Sequence, residues 1–153
     1  MLGHLNATEI ESVLRHQVLA RLGCHADNIT YVVPVSYAYD GVYVYGRTQE
    51  GLKINLMRKN PRVCIQADIM ENMANWQSVI AWGDFEELTD VATRNAALQK
   101  LVDRKLPFIS SKTVHLSPQW PFPVRDISTI TGIVFRIRLI EKTGRFESND
   151  FSN

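Results

Sequence analysis

The sequence predicts a mainly β protein: an antiparallel sheet closed into a barrel, with helices on its flanks. Three observations carry that prediction. Strand-like runs follow closely from residue 29 to residue 88 and are joined by turn signals rather than long crossovers. Residues 62–69 set Val63, Ile65, Ala67 and Ile69 against Arg62, Cys64, Gln66 and Asp68, the period of a half-buried strand. Helical spacing is confined to short segments at the start, in the middle and after the strand-rich region. Closing such a sheet removes the unpaired edges that invite aggregation.

The elements follow in order. "NATEIESVL" opens a helix in which Thr8 and Glu11 have the spacing of a capping box, and Ile10, Val13 and Leu14 share a face. "HQVLARLGCH" fits two patterns. Val18, Ala20, Leu22 and Cys24 alternate as in a strand, while Val18, Leu19 and Leu22 fit a helix. "ITYVVPVSYAY" is rich in β-branched and aromatic residues, with Tyr31, Val33, Val35, Tyr37 and Tyr39 on one face as a packing stripe. Pro34 lacks a backbone donor, which places it on an edge or at a bulge. Asp40-Gly41 signals a tight turn into a returning strand, "VYVYG". After 62–69 comes "WQSVIAWGDFEEL", a strand with Gly83 as a bulge candidate. "DVATRNAALQKLVDRK" is a helix with Val91, Leu98, Leu101 and Val102 on one face, and "GIVFRIRLIEK" is the last strand. Residues 106–128 hold four of the six prolines and read as an irregular loop. Residues 143–153 read as a frayed polar tail, and the whole chain, 1–153, as a single domain.

The stretch 42–61, "VYVYGRTQEGLKINLMRKNP", turns from strand to helix and admits two readings. In one it is a connection whose helix is capped by Thr48. In the other, free backbone N–H groups at the helix start, the open approach at Gly51, and the charges of Lys53 and Arg47 cradle a phosphate. Glu50 opposes the second reading unless it points to solvent. Gly-x-x-x-x-Gly-Lys-Ser/Thr does not occur, so the stretch is not a P-loop. In "WQSVIAWG", Trp76, Ser78 and Ile80 share one face, and Gln77, Val79 and Ala81 share the other. A tryptophan two residues from a hydroxyl either flanks a planar ligand or packs in an interface. Arg136 and Arg138 share a strand face, with solvent exposure the default. Arg58, Lys59 and Arg62 cluster where they complement a helix dipole.

Composition excludes several classes. The formal net charge is +1, which gives no electrostatic reason for a nucleic-acid or anionic-membrane partner. No apolar run reaches membrane-spanning length, and no secretory signal is visible, so a cytoplasmic protein is the expectation. Cys24 and Cys64 form no paired motif and are expected to be free thiols. The four histidines show no metal-ligand spacing. There is neither a Gly-x-Ser-x-Gly elbow nor a Gly-x-Gly-x-x-Gly turn, and no catalytic acid or base is identified.

The order of the pieces adds a resemblance. "YVVPVSYAYDGVYVYGRTQEGLKINLMRKNPRVCIQAD" followed by "WQSVIAWGDFEELTD" resembles the FMN-binding split-barrel flavoproteins. These are relatives of pyridoxamine 5′-phosphate oxidase, and within them the 5-nitroimidazole-resistance-type flavin-nucleotide-binding proteins are the most similar branch. The resemblance covers about 9–104 and resumes at "GIVFRIRLIEKTGR". It implies a six-stranded antiparallel split barrel, "HQVLARLGCH" as its first strand, and a homodimer with FMN in clefts between the subunits. It also implies flavin contacts. Pro34, Val35 and Ser36 match the strand along the isoalloxazine ring. Tyr45, Gly46 and Arg47 match the strand end beside the ribityl phosphate, and Lys53 matches the residue that pairs with the phosphate. Ser78 and Val79 match contacts from a strand of the same or the neighbouring subunit, with Trp76 beside them. Relatives often carry histidine and serine where this chain has Gly46 and Arg47. The short "GRFESNDFSN" ending argues against pyridoxamine 5′-phosphate oxidation. The implied activity is an FMN-dependent oxidoreductase of small organic molecules such as nitro compounds or quinones, with NAD(P)H as a plausible reductant. The alternatives are a non-catalytic flavin carrier or sensor, and a split barrel that holds haem or a deazaflavin.

Overall fold

The computed structural model describes residues 1–104 and 127–149. The short strand β1, Leu2–His4, precedes helix α1, Ala7–His16. The α1 cap is Asn6: its Oδ1 accepts from Glu9 N at 2.9 Å, and Glu9 Oε2 accepts from Asn6 N at 2.7 Å. The capping box therefore lies two residues before the expected Thr8–Glu11 pair. Glu11 is engaged elsewhere, accepting from Tyr39 Oη at 2.7 Å and from the Lys142 ammonium. Ile10, Val13 and Leu14 are buried, as the spacing predicts.

Strands β2, Leu19–Ala26, and β3, Ile29–Ser36, form a hairpin. Asp27 and Asn28 turn it with φ of 53° and 60°, the positive values of a type I′ turn. Tertiary pairing thus decides the ambiguous 16–25 segment as strand. The run that continues from β3 breaks at Tyr37, whose N–H donates to Val18 O and whose buried hydroxyl donates to Leu14 O. Strand β4, Ala38–Tyr39, then pairs with β5, Tyr43–Thr48, around the expected Asp40-Gly41 turn. Asp40 Oδ1 accepts from the N–H groups of Val42 and Tyr43, and Gly41 has φ 98°.

Helix α2 is Leu52–Lys59, followed by β6, Arg62–Asn72, and β7, Asn75–Glu87. Helix α3, Val91–Asp103, is capped by Asp90, which accepts from Thr93 N at 2.9 Å. Its buried residues are Ala97, Leu98 and Leu101, whereas Val91, expected on that face, is 72% exposed. After a 3-10 turn, Ile127–Thr129, strand β8 runs from Ile133 to Glu147. It continues through 143–147, part of the expected frayed tail, because β7 pairs with it over that whole stretch and β1 pairs with 145–147. The expected loop at 106–128 falls outside the described residues up to that turn.

The sheet is antiparallel throughout, in the order β3-β2-β6-β7-β8-β5-β4, with β1 beside β8. Its two ends belong to one run of chain, and β3 touches β5 across the interior. The result is the split barrel, with eight strands among the described residues rather than six. Two additions account for the count: β1, and the division of one run into β3 and β4. Pro34 lies on the edge strand, as its missing donor requires. The expected bulge lies opposite Gly83 rather than on it: Trp82 pairs with Glu141 and Gly83 with Leu139, so the extra residue is Ile140 of β8, while β7 keeps its register with β6. One apolar cluster fills the barrel and is covered by α1 and α2. A second lies between α3 and β4, β5 and β8.

Candidate functional site

The strand-to-helix stretch is divided by strand alternation. Val44 points into the barrel core and Tyr45 into the α3 cluster. Gly46 returns to the barrel side, under the ring of Phe135. A Cβ at position 46 would lie 2.9 Å from Phe135 Cε1 and closer still to Cζ. Arg47 turns outward and donates through Nε to Thr131 O. Burial lowers its pKa from the usual arginine range, and the adjacent Arg94 guanidinium adds to the effect. Thr48 ends β5 and donates to Gln49 O at 3.2 Å. It does not cap α2, because the helix begins beyond it.

The cap of α2 is Gly51, which supplies no side-chain oxygen, and the first turn holds no acidic residue. A Cβ at Gly51 would meet nothing within 4 Å. Glu50 is drawn to the opposite end of the helix, where Arg58 donates to both its oxygens at 3.0 and 2.9 Å. Arg58 also bonds Glu87 and holds that carboxyl below its usual range. Lys59 pairs with Asp27, and Arg62 with Asp84 at 3.1 Å. Lys53 is half-buried and has no carboxylate within ion-pair distance among the described residues. It stands beside Cys24, where burial pushes the thiol pKa up, Cys64 adds to this, and Lys53 opposes it. Backbone donors, a missing side chain and an uncompensated ammonium thus converge at the start of α2. That donor set fits the phosphate of a nucleotide cofactor.

The remaining expected residues divide between two sheet faces. Pro34 pairs with Arg21, Arg21 with Gln66, and Gln66 with Ile80, forming one row on the outer face. Ser36 and Ser78 lie on the same face. Ser78 Oγ accepts from Gln66 Nε2 at 2.9 Å, and Ser36 Oγ accepts from Arg104. Trp76 is half-buried, and its Nε1 donates to Glu147 at 3.1 Å. Val35 packs inward against the barrel core, and Val79 is fully buried there. The Val79 side chain is therefore structural, and its backbone lies in the sheet between Ala67 and Gly144. Tyr45 is likewise core, with its hydroxyl on Asp40 at 2.7 Å. Arg136 pairs with Glu86 at 2.7 Å and lies over the Tyr43 ring. Both cysteines are free, on neighbouring strands.

No sequence pattern marks Arg104. It closes α3 and reaches back to Ser36 Oγ and to Tyr37 O at 3.0 Å. Only the fold brings residues so distant in sequence together, so no local signal exists to find it by.

A family model described as pyridoxamine 5′-phosphate oxidase matches residues 6–145. The chain belongs to that family. It is 29% identical, over 148 residues and 92% of both chains, to an uncharacterized protein of Rhizobium meliloti. It is 30% identical to a solved FAD-binding protein from Mesorhizobium loti, with TM-score 0.71, covering 97% of this chain and 99% of that one. A candidate 5-nitroimidazole antibiotic resistance protein from Bacteroides thetaiotaomicron shares the fold at 18% identity and TM-score 0.72, covering 95% of this chain and 87% of that one. These likenesses support the split-barrel reading of the sequence.

Proposed function

We propose that this chain binds a flavin nucleotide, FMN, and acts as an oxidoreductase of small organic molecules. The observation that carries the reading is the start of α2, where Gly51 and Lys53 offer donors that no acidic side chain occupies. The FAD-binding relative from Mesorhizobium loti supports a flavin and favours FAD as the second reading. A bound flavin would supply hydride and electron transfer. The chain's own residues would hold and orient it. Lys53 and the α2 N–H groups take the phosphate, Val35 packs beneath the strand that the ring follows, and Ser36 and Ser78 offer polar contacts.

The site is shared between two copies of the chain in this proposal. Ser36 and Ser78 face outward, whereas Lys53 stands beside inward-facing Cys24. The outer face also carries an apolar row in register, from Val32 through Gly23 and Cys64 to Trp82. Val32 is 65% exposed, and Leu19 and Ile80 on the same face are 46% and 38% exposed. Covering such a patch with a second copy is favourable.

The test begins with the visible spectrum of the purified protein, followed by acid release and mass identification of the cofactor. FMN is the expected mass. FAD would transfer the same site to the larger nucleotide, and a protein that neither carries nor takes up flavin would overturn the proposal. Anaerobic reduction of the bound flavin by NADH or NADPH, with nitro-compound or quinone turnover, separates an enzyme from a carrier. Sedimentation of the flavin-loaded protein should give a dimer.

A further inference from the structure

Another cleft, of about 490 Å³, lies between the end of α1, β4 and the end of α3. That volume suits a small molecule. Val18, Tyr37, Ala38 and Tyr39 provide an apolar and aromatic wall, and the cleft is rich in donors. Its cationic or titratable groups are Arg15, His16, Lys100 and Arg104, and its acids are Asp40 and Asp103.

The acids are already engaged. Asp40 accepts from two backbone N–H groups and from Tyr45 Oη, with Lys100 Nζ at 3.9 Å. Asp103 accepts from Gln99 at 2.7 Å. Among the described residues neither arginine has a carboxylate within ion-pair distance, although Arg15 lies in the field of Glu11 one turn away on α1. Arg15 lies over the Tyr39 ring, 5.5 Å from its centroid, and Arg104 bonds a hydroxyl and a carbonyl through Nη1. Arg104 Nε is buried without a partner among the described residues. Burial lowers the Arg104 pKa from the usual arginine range, the expected direction for a charge that has lost water and meets no counter-ion among the described residues. A partly desolvated guanidinium with unused N–H groups is costly alone and strongly favours a carboxylate.

We propose that this cleft binds a small organic carboxylate, held between Arg15 and Arg104 with its apolar body against Val18 and Tyr39. Arg104 also holds Ser36 on the strand assigned to the flavin ring. The cleft's use as a substrate subsite therefore rests on the flavin reading, while its affinity for an anion does not.

The experiment titrates the full-length protein with benzoate and with its neutral analogue benzamide, following backbone amide shifts by NMR and flavin content in the same samples. Benzoate should give saturable shifts at Tyr37, Tyr39 and Arg15, and benzamide should bind at least tenfold more weakly. Arg15→Gln, which leaves the Ser36 contact in place, and Arg104→Gln should each weaken benzoate about tenfold. Arg104→Lys, which restores the charge, should recover part of the loss. Equal binding of benzoate and benzamide, unsaturable shifts, or undiminished benzoate affinity in a folded Arg15→Gln protein would overturn the cleft. Saturable benzoate binding to a protein that takes up no flavin would leave the cleft standing and remove the flavin reading.

Discussion

Gly46 and Gly51 lie in the same stretch of chain and in opposite surroundings. Gly46 sits under the Phe135 ring, where any side chain would collide, whereas Gly51 faces open space. The charges beside them differ in the same way. Arg47 is committed to Thr131 O on the far face, while Lys53 has no carboxylate partner among the described residues. At the other end of α2, Arg58, Lys59 and Arg62 all meet acids. The comparison teaches that residue type does not separate packing from binding. Whether the space and charge are already taken does.

The largest expected effect is at the open end. Lys53→Ala should weaken flavin binding by about 1.5–3 kcal/mol, the range for a charge-assisted hydrogen bond. The melting temperature of the flavin-free protein should hardly move. A flavin titration that matches the parent would erase the distinction between Lys53 and the paired cations. The closed end should respond next. Gly46→Ala should cost about 1–3 kcal/mol of stability through overpacking against Phe135, measured by urea unfolding, and parent-like stability would show that the ring moves aside freely. Arg58→Met tests the balanced end of α2. It should leave the stability close to the parent's, because exposed ion pairs contribute little, and leave flavin affinity intact. A large affinity loss there would make Glu50 and Glu87 part of the site. The smallest effect is the most selective. Gly51→Ser should stabilise the flavin-free protein by a few tenths of a kcal/mol, about the margin of serine over glycine at a cap. It should also weaken flavin, because the new hydroxyl competes for the same N–H groups. If both quantities rise together, the phosphate does not use that helix start.

Most of the barrel is legible in the sequence, because alternation is a local property. Val63, Ile65 and Ala67 are buried where their period places them, and the bulge falls opposite Gly83, the glycine that interrupts a strand. The misses come from competition settled at long range. Asn6-x-x-Glu9 and Thr8-x-x-Glu11 are overlapping boxes of similar quality, and the second loses Glu11 to Tyr39 and Lys142, neither near it in sequence. Strand β8 outlasts its apolar pattern because it is paired on both sides there, with β7 and with β1 from the other end of the chain. The place of Lys53 in the first turn of α2 is legible from Gly-x-Lys opening a helix. Proximity in sequence misplaces Arg47, although alternation along Val44, Tyr45, Gly46 and Arg47 already sends it to the other face.

Ile140 marks a change of parity within β8. Before it, odd-numbered residues of the strand enter the barrel core, Phe135 and Ile137 among them. After it, even-numbered residues do: Lys142 reaches Glu11, Gly144 lies against Leu5 and Ile10, and Phe146 packs on the core. One unmatched residue therefore lets a single strand serve two partners that require opposite phases. Deleting Ile140 would preserve composition almost unchanged and still invert everything beyond it, turning Phe146 outward and separating Lys142 from α1. In this fold, the length of β8 is as much a coded quantity as its side chains.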